Sequence, residues 1–266
     1  MSLPGLATFR DARSSAPPRS EEGAWTPEAE WRRRPVPNVL PQGWPAPTDS
    51  LVVVAAHPED PVLAVGGLIS RAVDAGSRVR VITVTDGDLS HPGGPVPGAI
   101  LAARRVREAD RAFATIVGNP GGVAPMDVVR LRIPDRAVSE HENDIAQRLI
   151  PLVAGFGTCA ANWRMDGFAD HDSTGRAAHL ACTETGVAFV EYPLRMWQWA
   201  DPDDSRVPWG QAVRVDLTDV QLARKERALS CLASQISPLV PGRDDRVPLP
   251  PEKLAYFRRP YEVLFR

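Results

Sequence analysis

VVVAAHPEDPVLAVGG, Val52 to Gly67, sets the frame for the whole chain. Its β-branched residues and alanines predict a strand buried on both faces. His57 follows, Pro58 stops the strand, and Asp60-Pro61 opens a helix, since proline suits a first helical turn. Val62, Val65, Leu68, Ile69, Ala72 and Val73 then recur at helical spacing until Gly76. A buried strand running straight into a helix is the first unit of a βαβ fold. It sets His57, Glu59 and Asp60 at the strand's carboxyl end, where such sheets bind ligands.

The rhythm continues outward. Strands are expected at Leu51–Ala56, Arg78–Thr85, Val128–Ile133, the GTCAANW segment ending near Trp163, Ala188–Tyr192 and Ala212–Val215. Helices are expected at Val62–Ala75, Ala99–Ile116, Glu140–Ala154, Ser173–Gly186 and Asp219–Gln235, with a proline-rich tail from Pro238. This alternation predicts an α/β fold: a three-layer α/β/α sandwich around a mainly parallel sheet. Neither GxGxxG nor GxxxxGK[ST] follows the first strand, which argues against a nucleotide fold of those kinds.

Residues 1–48 differ in composition, with nine prolines and the tryptophans Trp25, Trp31 and Trp44. They read as an extended arm anchored by its tryptophans, with one domain over 49–266. The chain has 266 residues, 43% hydrophobic and 24% charged, and a net charge of -2, which argues against nucleic-acid or anionic-membrane partners. No apolar run is long enough to span a bilayer and no secretory leader is visible. Three widely spaced cysteines, without a CxxC pair, favour a reducing, cytoplasmic setting.

His57 and Asp60, three residues apart across a tight turn, can converge on one metal ion, although Asp60 also reads as a helix N-cap. A third ligand is available in NWRMDGFADHDSTGRAAH, where His171 precedes a helix among Asp166, Asp170 and Asp172. Two imidazoles and one carboxylate would leave a coordination position open. His91, in a Gly/Pro-rich loop, is a candidate for substrate contact, whereas His141 and His179 read as surface or packing residues.

AHPEDPVLAVGG, TVTDGD, WRMDGFADHDSTGRAA and KERALSCLASQ, in this order, resemble the signature segments of the PIG-L/LmbE-like zinc N-deacetylases, over roughly residues 50–236. The resemblance implies a Rossmann-like sheet and a Zn2+ ion, or another divalent metal, on His57, Asp60 and His171. It further implies Glu59 as general base, Asp170 as the carboxylate that orients an imidazole, and Asp88, His91, Arg164 and Phe168 on the substrate side. The implied substrate is a small N-acyl amino sugar or a glycoconjugate. The chain departs from the family's pattern at Glu59, where aspartate is usual, and at Phe168 and Leu232, where histidines are usual. These departures leave two expectations: an N-deacetylase acting on an N-acyl amino sugar or glycosylated natural product, or a weakened relative that binds metal and glycan.

Overall fold

The computed structural model describes residues 25–33, 50–119, 126–240, 242 and 247–266. In chain order the elements are α1 (Glu28–Arg33), β1 (Leu51–Ala55), α2 (Asp60–Asp74), β2 (Val79–Thr83), α3 (Gly98–Ile116), β3 (Asp127–Arg130), α4 (Glu142–Val153), β4 (Thr158–Asn162) and α5 (Ala169–Thr185). They continue with β5 (Ala188–Tyr192), α6 (Met196–Trp199), β6 (Ala212–Asp216), α7 (Asp219–Leu229), α8 (Ala233–Ile236), α9 (Pro251–Leu254) and β7 (Tyr261–Phe265).

The seven strands form one sheet in the order β3-β2-β1-β4-β5-β7-β6. The first five pair in parallel, and β7 pairs antiparallel with both β5 and β6. Both faces are covered, as the apolar strands require. Leu51 and Val53 of β1 enter one core with α2, α3 and the α7 residues, while Val52 and Val54 enter a second with α4 and α5. The expected three-layer α/β/α architecture is present. Chain order reverses between β1 and β4, so the crevice at their carboxyl ends is the topological switch point.

Several local expectations need correction. Against the reading of residues 1–48 as extended throughout, Glu28–Arg33 is helical, in a stretch free of proline between Pro27 and Pro35. Trp31 is buried in the sheet's core as an anchor; Trp44 lies outside the described residues. The expected helix Asp219–Gln235 ends at Leu229 and resumes as the short α8, because the buried Glu108 carboxylate takes the Ser234 N–H and hydroxyl. The proline-rich tail from Pro238 also holds a strand that the sequence reading did not place. Its YEVLF segment inserts as β7 between β5 and β6, a pairing that no short-range signal announces.

Inside α2 the backbone leaves helical geometry at Val65 (φ -135°, ψ 21°). Glu262, from β7, accepts the Gly67 and Leu68 N–H groups at 2.7 and 2.9 Å, so a carboxylate caps the second half of the broken helix. Lys225 Nζ closes the arrangement with a 2.7 Å bond to Glu262, both side chains being at most 2% exposed. Lys225→Met should cost about 3–5 kcal/mol, because it leaves the Glu262 charge buried and unpaired. Urea unfolding reads this as a lowered midpoint at unchanged slope; a change within about 0.5 kcal/mol would show the pair to be dispensable.

Candidate active site

The crevice between β1 and β4 is stitched by Asn162, the last residue of β4. Its Oδ1 accepts Ala56 N–H at 2.8 Å and its Nδ2 donates to Asp60 Oδ2 at 3.1 Å. α5 reaches this point because Gly175 has no side chain: a Cβ there would stand 2.3 Å from the Asn162 carbonyl oxygen. The helix begins at Ala169, earlier than the sequence predicts, and so carries Asp170, His171 and Asp172 in its first turn.

His57, Asp60 and His171 meet in this crevice, all buried. Asp60 Oδ2 lies 3.6 Å from His57 Nδ1 and 3.6 Å from His171 Nε2. Ligand atoms about 2.0–2.2 Å from a shared ion stand at comparable separations. Asp60 does not cap α2 by a side-chain bond; its Oδ2 instead accepts the His57 N–H at 3.0 Å. Each imidazole is held from behind by a carboxylate. Asp166 Oδ2 is 2.6 Å from His171 Nδ1, and Asp135 Oδ1 is 3.2 Å from His57 Nε2. With those nitrogens carrying the protons, Nδ1 of His57 and Nε2 of His171 turn toward Asp60 as free donor atoms.

The electrostatics favour a positive charge at this place. Burial works against the charged form of His57, yet hydrogen bonds with Asp135, Asp170 and Asp60 outweigh it and hold the imidazole well above its ordinary range. Burial raises Asp60 as well, but the His171 and His57 charges and the Asn162 bond bring its carboxyl down to about 2. Asp135 is likewise lowered: burial opposes the shift, while its bond to His57 dominates the outcome. Asp172 is raised to about 7 by burial and by the neighbouring charge of Asp166. Two neutral imidazole nitrogens and a carboxylate suit a divalent cation. His57, Asp135 and Asp170 form a second group within ligand reach, on the other face of the His57 ring.

A cleft of about 790 Å³ opens over the cluster. Glu59 lines it and forms an ion pair with Arg105, which also donates to the Gly87 carbonyl. Phe168 forms part of the wall, its ring centroid 5.0 Å from His171 and 5.8 Å from His57, with the Arg195 guanidinium 4.8 Å away. Asp170 sits 3.5 Å from His57 Nε2 and accepts the Arg136 N–H. Leu89 and Ser90 line the cleft, while their neighbours Asp88 and His91 are not part of its lining. Arg164 also stands outside it, donating through Nε and Nη2 to Glu191. Leu232 is buried in the core.

Asp135, Asp166 and Arg105 carry roles that the sequence reading did not assign. Asp135 lies in the loop five residues beyond the end of the parallel strand β3, and nearness to a strand's carboxyl end was the available signal. Asp166 is marked by its buried bonds: besides His171 it accepts the N–H groups of Leu194, Arg195 and Met196 at 2.9, 2.8 and 3.0 Å. Asp166→Asn sets an amide N–H against one of these donors and should weaken metal binding roughly 10–100-fold. Zinc titration against a competing chelator measures this, and parent-like affinity would remove Asp166 from the site.

The fold and cluster define an α/β protein with a candidate metal centre at the sheet's switch point. The model of the PIG-L family, described as GlcNAc-PI de-N-acetylase, matches residues 52–182. A diacetylchitobiose deacetylase of Thermococcus kodakarensis is 35% identical over 68 residues, 26% of this chain and 25% of that protein, so the match spans about a quarter of the relative's length. Among solved structures, A40926 pseudoaglycone deacetylase is similar at 20% identity with a TM-score of 0.59, over 82% of this chain and 96% of that one. A zinc-inhibited form of teicoplanin deacetylase is similar at 16% identity with a TM-score of 0.55, over 81% of this chain and 97% of that one. At such identities these two structures establish the shared fold. Among the described residues, no helix is long and apolar enough to cross a membrane.

Proposed function

We propose that this protein is a metal-dependent amide hydrolase that removes an acyl group from an N-acyl amino sugar or a glycosylated natural product. The observation that carries the reading is the convergence of His57, Asp60 and His171, each imidazole backed by a carboxylate, beneath a cleft that also presents Glu59. The PIG-L family match and the deacetylase relatives support the same chemistry. His57, Asp60 and His171 would hold the cation, with zinc the first candidate from the donor set. A divalent ion so held supplies Lewis acidity toward an amide carbonyl and makes water a nucleophile at neutral pH.

The chain's own residues supply the rest. Glu59 accepts a proton from the attacking water and returns it to the departing amine, as a general base and then acid. Arg105 fixes the direction of the Glu59 carboxylate through their ion pair. Asp135 and Asp166 hold the imidazoles, and Phe168 excludes water from one side of the cluster. The three cysteines are free thiols, in keeping with a reducing cytoplasm as the proposed location.

The zinc-loaded protein should release acetate and free amine from N-acetylated glucosamine conjugates, with loss of turnover on chelation and recovery on adding metal back. Stoichiometric zinc without any released amine, across a broad panel of conjugates, would overturn the enzyme reading. It would leave the second one, a relative that binds metal and glycan without turnover. Two observations favour that alternative: the ion pair that engages Glu59, and an aromatic ring, Phe168, where the family pattern has a histidine donor.

A further inference from the structure

We infer that residues 25–33 are a working part of the site: they clamp α6, and through α6 they position both the cleft wall and His171. The segment lies outside the matched family domain, as does α6. α6 is four residues long, so its flanking N–H and C=O groups depend on partners from elsewhere. At its start the N–H groups of Leu194, Arg195 and Met196 all go to Asp166, the carboxylate that holds His171. At its end the partners come from the N-terminal segment. Trp31 Nε1 donates to the Trp197 carbonyl at 3.1 Å, Thr26 N–H to Gln198 at 3.2 Å, and Thr26 Oγ1 to Ala200 at 2.6 Å.

The segment is itself firmly seated. Trp31 is 3% exposed and meets Trp197 edge-on at 4.9 Å. Glu28 takes Nε and Nη2 of the buried Arg259, whose guanidinium lies 4.2 Å from the Trp197 ring centroid. Tyr256 donates its hydroxyl to the Thr26 carbonyl at 2.7 Å. The same elements face the cleft, because Arg195 and Gln198 beside or within α6, and Phe257 next to Tyr256, line it. A continuous path therefore runs from Arg259 and Glu28 through Thr26 and Trp31 to α6, and from α6 through Asp166 to His171. Residues 25–33 are more than a cover over an apolar face: Thr26, just before α1, and Trp31, within it, supply the bonds that terminate a helix whose other end grips the partner of His171.

The test uses full-length Thr26→Val, Thr26→Ser and Trp31→Ala proteins. Amide hydrogen exchange across 194–200 is read in the metal-free state, and zinc release to a chelator in the loaded state. Thr26→Val should speed exchange across 194–200 about fivefold, the worth of one ordinary hydrogen bond, while Thr26→Ser keeps the parent rate. Trp31→Ala should exceed that, with β1 and β2 unchanged, and zinc release should accelerate in the same order. Parent-like exchange in both Thr26→Val and Trp31→Ala would overturn the clamp. Faster exchange with unaltered zinc release would overturn its link to His171. Should Trp31→Ala fail to fold, the Thr26 pair decides. The metal arm rests on the proposed function, whereas exchange in metal-free protein does not; a parent that binds no zinc would therefore sink the metal reading and leave the clamp to be decided by exchange.

Discussion

His171→Ala should lose most of its affinity for zinc while keeping its fold. Four-ligand structural sites bind with about 10–16 kcal/mol of apparent free energy, or about 2.5–4 kcal/mol for each ligand. Removing one ligand should therefore cost two to three powers of ten in affinity, at about 1.4 kcal/mol for each tenfold. The fold should survive because Asp166, the partner left behind, still accepts three backbone N–H groups. Metal analysis after dialysis, calorimetric titration and a thermal melt together separate the two effects. The variant also tells the two candidate groups apart. His171 belongs to the set with His57 and Asp60, and Asp170 to the set with His57 and Asp135. Full affinity in His171→Ala, combined with loss in Asp170→Asn, would move the ion to the other face of the His57 ring.

Glu59→Gln should retain zinc and substrate binding and lose about 10²–10⁴ in kcat, the usual contribution of a positioned general base. Glutamine keeps the size and can still accept a hydrogen bond from Arg105, so the cleft's shape is preserved while the proton acceptor is removed. The result is read as a fall in kcat at little changed KM, which marks an interaction made in the transition state. An active Glu59→Gln protein would place the base elsewhere. Asp170 would then be the next group to test, since it lies 3.5 Å from His57 Nε2.

Much of the candidate site was legible because its residues sit near strand ends. A run of buried β-branched residues broken by His-Pro announces a carboxyl end, and in a parallel sheet that end faces the binding crevice. His57 and Asp60 were therefore readable from local order, and His171 from its place after β4. The partners of these residues were less readable. Asp170 adjoins His171 in sequence and invites pairing with it, but the 2.6 Å bond belongs to Asp166. On a helix, neighbours in sequence point in different directions, whereas a residue in the preceding turn can reach back to the ring. Arg164 attracted a substrate role as a cation in the signature segment; Glu191, on the adjacent strand β5, takes it instead.

From the sequence alone came the α/β alternation, the buried strands and the placement of three candidate ligands at one edge of the sheet. These follow from periodicity and from residues that stop strands and start helices, which act over a few positions. Only the tertiary structure decided that β7 enters the sheet between β5 and β6, that Arg105 engages Glu59, and that Asp135 and Asp166 hold the imidazoles. It also decided that Thr26 and Trp31 terminate α6 across more than 160 positions of chain. Hydrogen-bond partners for buried polar groups are chosen by which segments packing brings together, and that choice leaves no short-range mark in the order of residues.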